Sequence, residues 1–237
     1  CSLYIDVTAQ QLISGSTLPE EAPSNRQEYV AREGVNLIAY IRAEMGVGEG
    51  ARSDARALDA ASIDFGIINF ETGNPSRMTD LSWQHKEILS PDFDINLIHI
   101  NADFLPMAIK ELPSHFFTKR YNIAYWAWEL EEIPAEWMPA FEEVDEVWVP
   151  SDFVKAAVEK CSPVPVVTIP HCVDVRVEET FLRQQFGLPE DSFIFLSMFD
   201  THSIAERKNP YGAIKAFKQA FAKDDKTVCL ILKANNS

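Results

Sequence analysis

Four short stretches of this sequence hold residue types that could do chemistry. Gly46-Val47-Gly48-Glu49-Gly50 would let the backbone approach an anion closely, and a helix starting just after it would add amide donors. The spacing is G-x-G-x-G and not the dinucleotide G-x-G-x-x-G, so a plain tight turn is the competing reading. Arg207-Lys208 offers a planar guanidinium fork beside a point charge, a pairing that can neutralise a diphosphate. Its competing reading is a solvated helix start, with Asn209 as N-cap and Pro210 at the first helical position.

The third stretch is His99-Ile100-Asn101-Ala102-Asp103, at the end of an apolar run. Asn101 can hydrogen-bond a hydroxyl but does no proton chemistry at neutral pH. Asp103 is a carboxylate at a strand end, suited to orienting a substrate. His99, two residues before Asn101, reads as a satisfied core histidine. The fourth stretch ends in Trp126-Ala127-Trp128-Glu129. Both tryptophans read as core, and Glu129 either orients an acceptor hydroxyl or caps the turn at Glu131 and Glu132. His171 reads as packing in a crossover. Metal-ligand spacing is absent; Asp92-Phe93-Asp94 mimics a DxD motif but precedes a buried strand. A serine hydrolase would need G-x-S-x-G, which is missing.

The elements that must position these residues form an α/β series. Apolar runs predict strands over 35–41, 63–70, 95–100, Glu146 to Val149 and Val164 to Ile169, with another in NIAYWAWEL from Asn122. Helices are expected from Ala51 to Ala61, around Leu81 to Leu89, near Leu105 to Glu111, from Glu136 to Glu143, and after Ser151, a good N-cap. Strands alternating with helices imply a parallel sheet covered on both faces. A second unit follows: a helix from Glu178 to Phe186 stopped by Gly187, a strand from Phe193 to Ser197, a helix from Asn209 to Ala222 and a strand from Val228 to Leu232. Residues 1–33 read as an extension or linker, 34–174 as the first domain, 175–190 as an interdomain linker and 191–237 as the start of a second domain.

A length of 237 residues is ample for one core and marginal for two full domains, and a first residue other than Met suggests a piece of a longer protein. The net charge of −15 argues against a general nucleic-acid binder. No apolar run reaches the roughly 20 residues that span a bilayer. The four cysteines show neither zinc nor redox spacing, and free thiols in a reducing cytoplasm are the plain expectation.

WVPSDFVKAAVEK followed by VVTIPHCVD resembles the hinge-side end of the N-terminal domain in family 4, or group 1, retaining glycosyltransferases. Members often show a "vPSxf" turn and an "iPxGvD" element; Cys172 stands at the usual glycine. The resemblance covers roughly residues 34 to 237. It implies a fold of two Rossmann-like domains (GT-B type), the second truncated here. It also implies transfer of a sugar from a nucleotide-diphosphate sugar to a hydroxyl acceptor with retained configuration, in polysaccharide or lipid-linked glycan assembly. In that setting Gly46 and Gly48 would meet the donor diphosphate, Arg52 would complete a "GxGxxaR"-like run, and Arg207 and Lys208 would bind the donor phosphates. Lys208 aligns best with the family lysine, but Phe199-Asp200 replaces the usual Gly-Arg, and Asn101 stands where several members have histidine. Asn101, Asp103 and Glu129 become the candidate catalytic residues. The substrates implied are a UDP-, GDP- or ADP-sugar and a glycan or lipid-linked acceptor. No cofactor or metal is implied, and the place of action is the cytoplasm, with peripheral association at the inner membrane face. The family's acidic E-x7-E segment would lie beyond Ser237, so negligible turnover is expected from the 237 residues alone. Two other classes stay open: a nucleotide-sugar-binding or epimerase-like relative without transferase activity, and a structural α/β module.

Overall fold

The computed structural model of the protein describes residues 32–173, 180–201 and 205–235. The chain divides into two compact units, Cys1–Asp174 and Val175–Ser237. The expected extension over 1–33 lies outside the described residues except for Arg32 and Glu33.

The first unit is a Rossmann-like α/β layer structure. Its six parallel strands are β1 (Val35–Ala39), β2 (Phe65–Asn69), β3 (Ile95–His99), β4 (Tyr121–Tyr125), β5 (Glu146–Val149) and β6 (Val166–Thr168), in the spatial order β2-β1-β3-β4-β5-β6. All five residues of β1 are buried, as expected for a central parallel strand with both faces covered. On one face, α1 (Gly46–Ala60) packs Ala51, Ala55 and Leu58 against Leu37, Ala39, Ile67, Leu97 and Tyr125. The other face carries α2 (Leu105–Glu111), a 3-10 segment (Ala135–Glu143) and α3 (Asp152–Val158), closing a core that includes Ile98, Ile100, Trp126, Trp137, Phe141 and Val147.

Several expectations about elements change. The strand read through NIAYWAWEL stops at Tyr125, so Trp126, Trp128 and Glu129 lie beyond its end. The glycine stretch is not a loop before the helix: α1 begins at Gly46, and its first turn contains Gly48. Packing decides this, because a Cβ on Gly48 would collide with the carbonyl oxygens of Ala43 and Tyr40. The segment from Glu136 to Glu143 is 3-10 in type, with Pro139 inside it removing an α-helical donor. The helix expected near Leu81 to Leu89 shrinks to one 3-10 turn, Gln84–Lys86.

At the N-terminal ends of the strands, Asn36, Asn96 and Asn122 share one register level across β1, β3 and β4. Asn36 Nδ2 donates to Asn96 Oδ1 at 2.9 Å, and Asn96 Nδ2 to Asn122 Oδ1 at 2.7 Å. Asn36 Oδ1 accepts from the Asp92 and Phe93 amides, and Asn96 Nδ2 also reaches Phe116 O. This ladder fixes the end of the sheet away from the candidate site.

The second unit has two parallel strands, β7 (Phe193–Asp200) and β8 (Val228–Asn235), with α4 (Ala205–Lys208) and α5 (Pro210–Ala220) between them. Asn209 caps α5, its Oδ1 accepting from Gly212 N at 3.0 Å, and Pro210 follows at the first turn. Phe195, Phe217 and Phe221 form its aromatic centre, with ring centroids 5.0–5.8 Å apart. The expected helix from Glu178 begins outside the described residues; a 3-10 turn, Arg183–Phe186, is present and ends at Gly187 in the left-handed conformation (φ 63°).

Candidate functional site

An open parallel sheet binds ligands outside the carboxyl ends of its strands, at the point where the strand order reverses. Here the chain leaves β1 toward β2 on one side and returns to β3 on the other, so the reversal lies between β1 and β3. Two pairs of expected site residues follow the two strands that flank that point. Gly46 and Gly48 open α1 directly after β1, and Asn101 and Asp103 follow β3. Glu129 is exposed in the connection after β4, the next strand over.

The turn between β1 and α1 is held from within the protein. Arg52, 6 % exposed, donates from Nη1 to Ile41 O (2.8 Å) and Ala43 O (3.0 Å). Its Nε lies 3.0 Å from Glu49 Oε2 and 3.2 Å from Asp80 Oδ2. Arg52 is therefore a clamp on the turn and has no fork left for a phosphate. Glu49 also pairs with Arg56 at 2.7 Å. Burial works to raise the Glu49 carboxyl, but Arg56 and Arg52 outweigh it and hold the group below its usual range. That local neutralisation matters, since an uncompensated carboxylate in the first turn would repel an anion at the helix N-terminus. The amides of Gly46, Val47 and Gly48 precede the first bond of the helix, from Glu49 N to Met45 O at 2.9 Å.

After β3, the Asn101 side chain ties two strand ends together: its Oδ1 accepts from Ala127 N at 2.9 Å. Asp103 Oδ1 accepts from Phe104 N at 3.1 Å. Burial pushes the Asp103 carboxyl above its ordinary value, against those amide bonds. Tyr40, at the end of the β1 run, donates to Thr72 O at 2.9 Å. Its phenol is pushed up to about 12, by burial first and then by the charges of Asp103 and Glu111. The segments that follow β1 and β3 thus carry the first amides of α1 and, on an exposed residue, the Asp103 carboxyl, whose pKa lies above its ordinary value.

A second constellation was not legible as a site in the sequence. His99 ends β3, 2 % exposed, with Nδ1 2.5 Å from Asp54 Oδ2 on α1. Its ring stacks on Tyr125 at 4.4 Å, and Tyr125 stacks in turn on His171 at 5.3 Å. Tyr125 Oη donates to Ile169 O at 2.7 Å and lies 3.2 Å from His171 Nδ1. Burial, then the Asp54 charge, raises the Tyr125 phenol far above its ordinary range, so it stays a donor. The core role read for His99 and the packing role read for His171 describe these contacts; Asp54, a surface-type residue on a glycine-rich helix, gave no signal beyond its place one turn after Gly50.

Trp126 is fully buried against Trp137 and Phe141, and Trp128 packs on Trp137 with its Nε1 donating to Glu132 O. Arg207 and Lys208 belong to the second unit, where both are exposed on the single turn α4. Beside β7 and β8 in that unit, Met198, Phe199, Asp200 and Lys233 line a shallow depression of about 190 Å³. Lys233 is a cation that the sequence reading missed, placed opposite Met198 by the β7–β8 register. Among the described residues there is no group of three or more His, Cys, Asp or Glu able to hold a metal ion. None of the described helices is long and apolar enough to cross a membrane. In comparisons with known proteins, no family model matches the chain, and no curated protein matches it in sequence.

Proposed function

We propose that this chain is the acceptor-side domain, with the start of the donor-side domain, of a retaining glycosyltransferase of the two-Rossmann type. The observation that supports the reading is that Gly46–Gly48 and Asn101–Asp103 follow the two adjacent strands between which the strand order reverses. A diphosphate leaving group needs donors fixed in advance where its charge develops. The first amides of α1 offer such donors. Asp103 orients the substrate from the segment after β3, and Glu129 orients the acceptor. In this mechanism the acceptor hydroxyl attacks from the side the nucleotide leaves, and the anomeric configuration is retained. The donor is a UDP-, GDP- or ADP-sugar and the acceptor a glycan or lipid-linked glycan. The reaction needs no metal or other cofactor, and it takes place in the cytoplasm or at its membrane face.

One observation favours a second reading, a nucleotide-sugar-binding or epimerase-like relative. Asn101 Oδ1 already accepts from Ala127 N, so that side chain is partly committed to holding two strand ends and has one acceptor lone pair and its amide donors for a substrate. Amide-resolved NMR titration of the chain with UDP-glucose, GDP-mannose and ADP-glucose tests the proposal. The expected result is a shift of the Gly46–Gly48 and Asn101–Asp103 amides with one donor. Shifts confined to other regions, or none with any donor, would contradict it. Sugar transfer that requires an added acceptor, assayed with a chain extended through an E-x7-E segment, separates the first reading from the second.

A further inference from the structure

Helix α1 meets the end of β3 through one bracket of two residues. Gly50 and Asp54 lie one helical turn apart and so project on the same face. The His99 ring sits between them: Asp54 Oδ2 is 2.5 Å from Nδ1, and a Cβ on Gly50 would stand 2.7 Å from Nε2 and 2.8 Å from Cε1. Tyr125 covers the ring face at an interplanar angle of 13°. Because a carboxylate can only accept, Asp54 draws the Nδ1 proton and so fixes both tautomer and ring orientation. With its side chain 3 % exposed, His99 is closed off from any substrate.

Both ends of this bracket lead to the reversal point. Four residues before Gly50, α1 begins at Gly46, and two residues after His99 the chain reaches Asn101. We infer that Asp54 is a positioning residue: acting through His99, it sets the distance between the amides at Gly46–Gly48 and the Asn101–Asp103 segment. The inference rests on the proposed reading of that point as a diphosphate site. It adds a residue that touches no ligand and that the site's own motifs do not contain. Preorganised donors lose effect when they are displaced by a fraction of an ångström, so loosening this bracket should weaken binding of a diphosphate.

The test is calorimetric titration of the chain with UDP, GDP and ADP in turn, comparing wild type with Asp54→Ala, Asp54→Asn and Gly50→Ala. Wild type is expected to bind one of the three. Asp54→Ala and Gly50→Ala should bind it about ten-fold more weakly while still melting cooperatively. Asp54→Asn keeps an oxygen for the Nδ1 proton and should stay within about three-fold of wild type. A merely structural role would lower the melting temperature and leave affinity unmoved. Equal affinity in wild type, Asp54→Ala and Gly50→Ala therefore overturns the inference while the diphosphate reading stands. Asp54→Asn as weak as Asp54→Ala also overturns it, because charge and not position would then be the cause. Absence of binding by wild type overturns the reading, and the inference falls with it. Where Asp54→Ala fails to fold, Gly50→Ala against Asp54→Asn decides by the same criteria.

Discussion

Asn96 shows how single side chains hold the ends of this sheet. It is fully buried and bonds to Asn36, Asn122 and Phe116 O. Asn96→Leu would take the donor from Phe116 O and Asn122 Oδ1, and each orphan costs about 1–3 kcal/mol. Urea denaturation should therefore report a loss of roughly 3 kcal/mol or more; a loss under about 1 kcal/mol would mean that water replaces the ladder. At the opposite end, Gly48→Ala would press a methyl group onto two carbonyl oxygens of the β1–α1 turn. Overpacking of this kind costs about 1–3 kcal/mol, and the variant should lose diphosphate binding as well. His171 supplies a pH dependence. Burial, then the neighbouring His99, holds its imidazole below the ordinary value, against the pull of Asp54. As pH falls, the unfolded chain takes up this proton first, so the His171 contribution to stability is full above about pH 6.5 and declines below it. Melting curves between pH 7.5 and 5 should fall less steeply for His171→Gln than for wild type; parallel curves would rule out this contribution.

Among the elements, the strands were legible and the start of α1 was not. Parallel strands covered on both faces read as unbroken apolar runs, and Glu146–Val149 appears in the fold with the bounds its run predicts. The α2 bounds, Leu105–Glu111, were equally plain. Glycine normally argues against a helix interior, but Gly48 and Gly50 sit in α1 because the helix packs too close to Tyr40, Ala43 and His99 for a side chain. That closeness belongs to tertiary structure and leaves no local mark. Asp54 with His99, and Asn36 with Asn96, lie 45 and 60 residues apart, beyond any spacing argument. That the segments holding Gly46, Gly48, Asn101, Asp103 and Glu129 follow strands was legible, and a parallel sheet alone brings all its carboxyl ends to one side. The caps are a local matter too: the Ser151 side chain accepts from Val154 N at 3.4 Å, a long bond. Ser151→Ala should cost at most about 1 kcal/mol in a thermal melt; a larger loss would assign Ser151 a further contact.

At the scale of the molecule, the first unit contains the deep core, and the second is built on a thin aromatic centre between two strands and α5. Each unit, taken by itself, carries residues that the proposed reading assigns to nucleotide-sugar binding: Gly46 and Gly48 in the first, Arg207 and Lys208 in the second. Nucleotide-sugar recognition is therefore the property on which the whole account turns. The measurement that tests it most directly is calorimetric titration of the protein with UDP-, GDP- and ADP-sugars, with Lys208→Ala beside wild type. The account predicts selective binding of donors with one base, abolished or strongly weakened in Lys208→Ala. A folded wild-type protein that binds none of the three would contradict it and leave a structural α/β module.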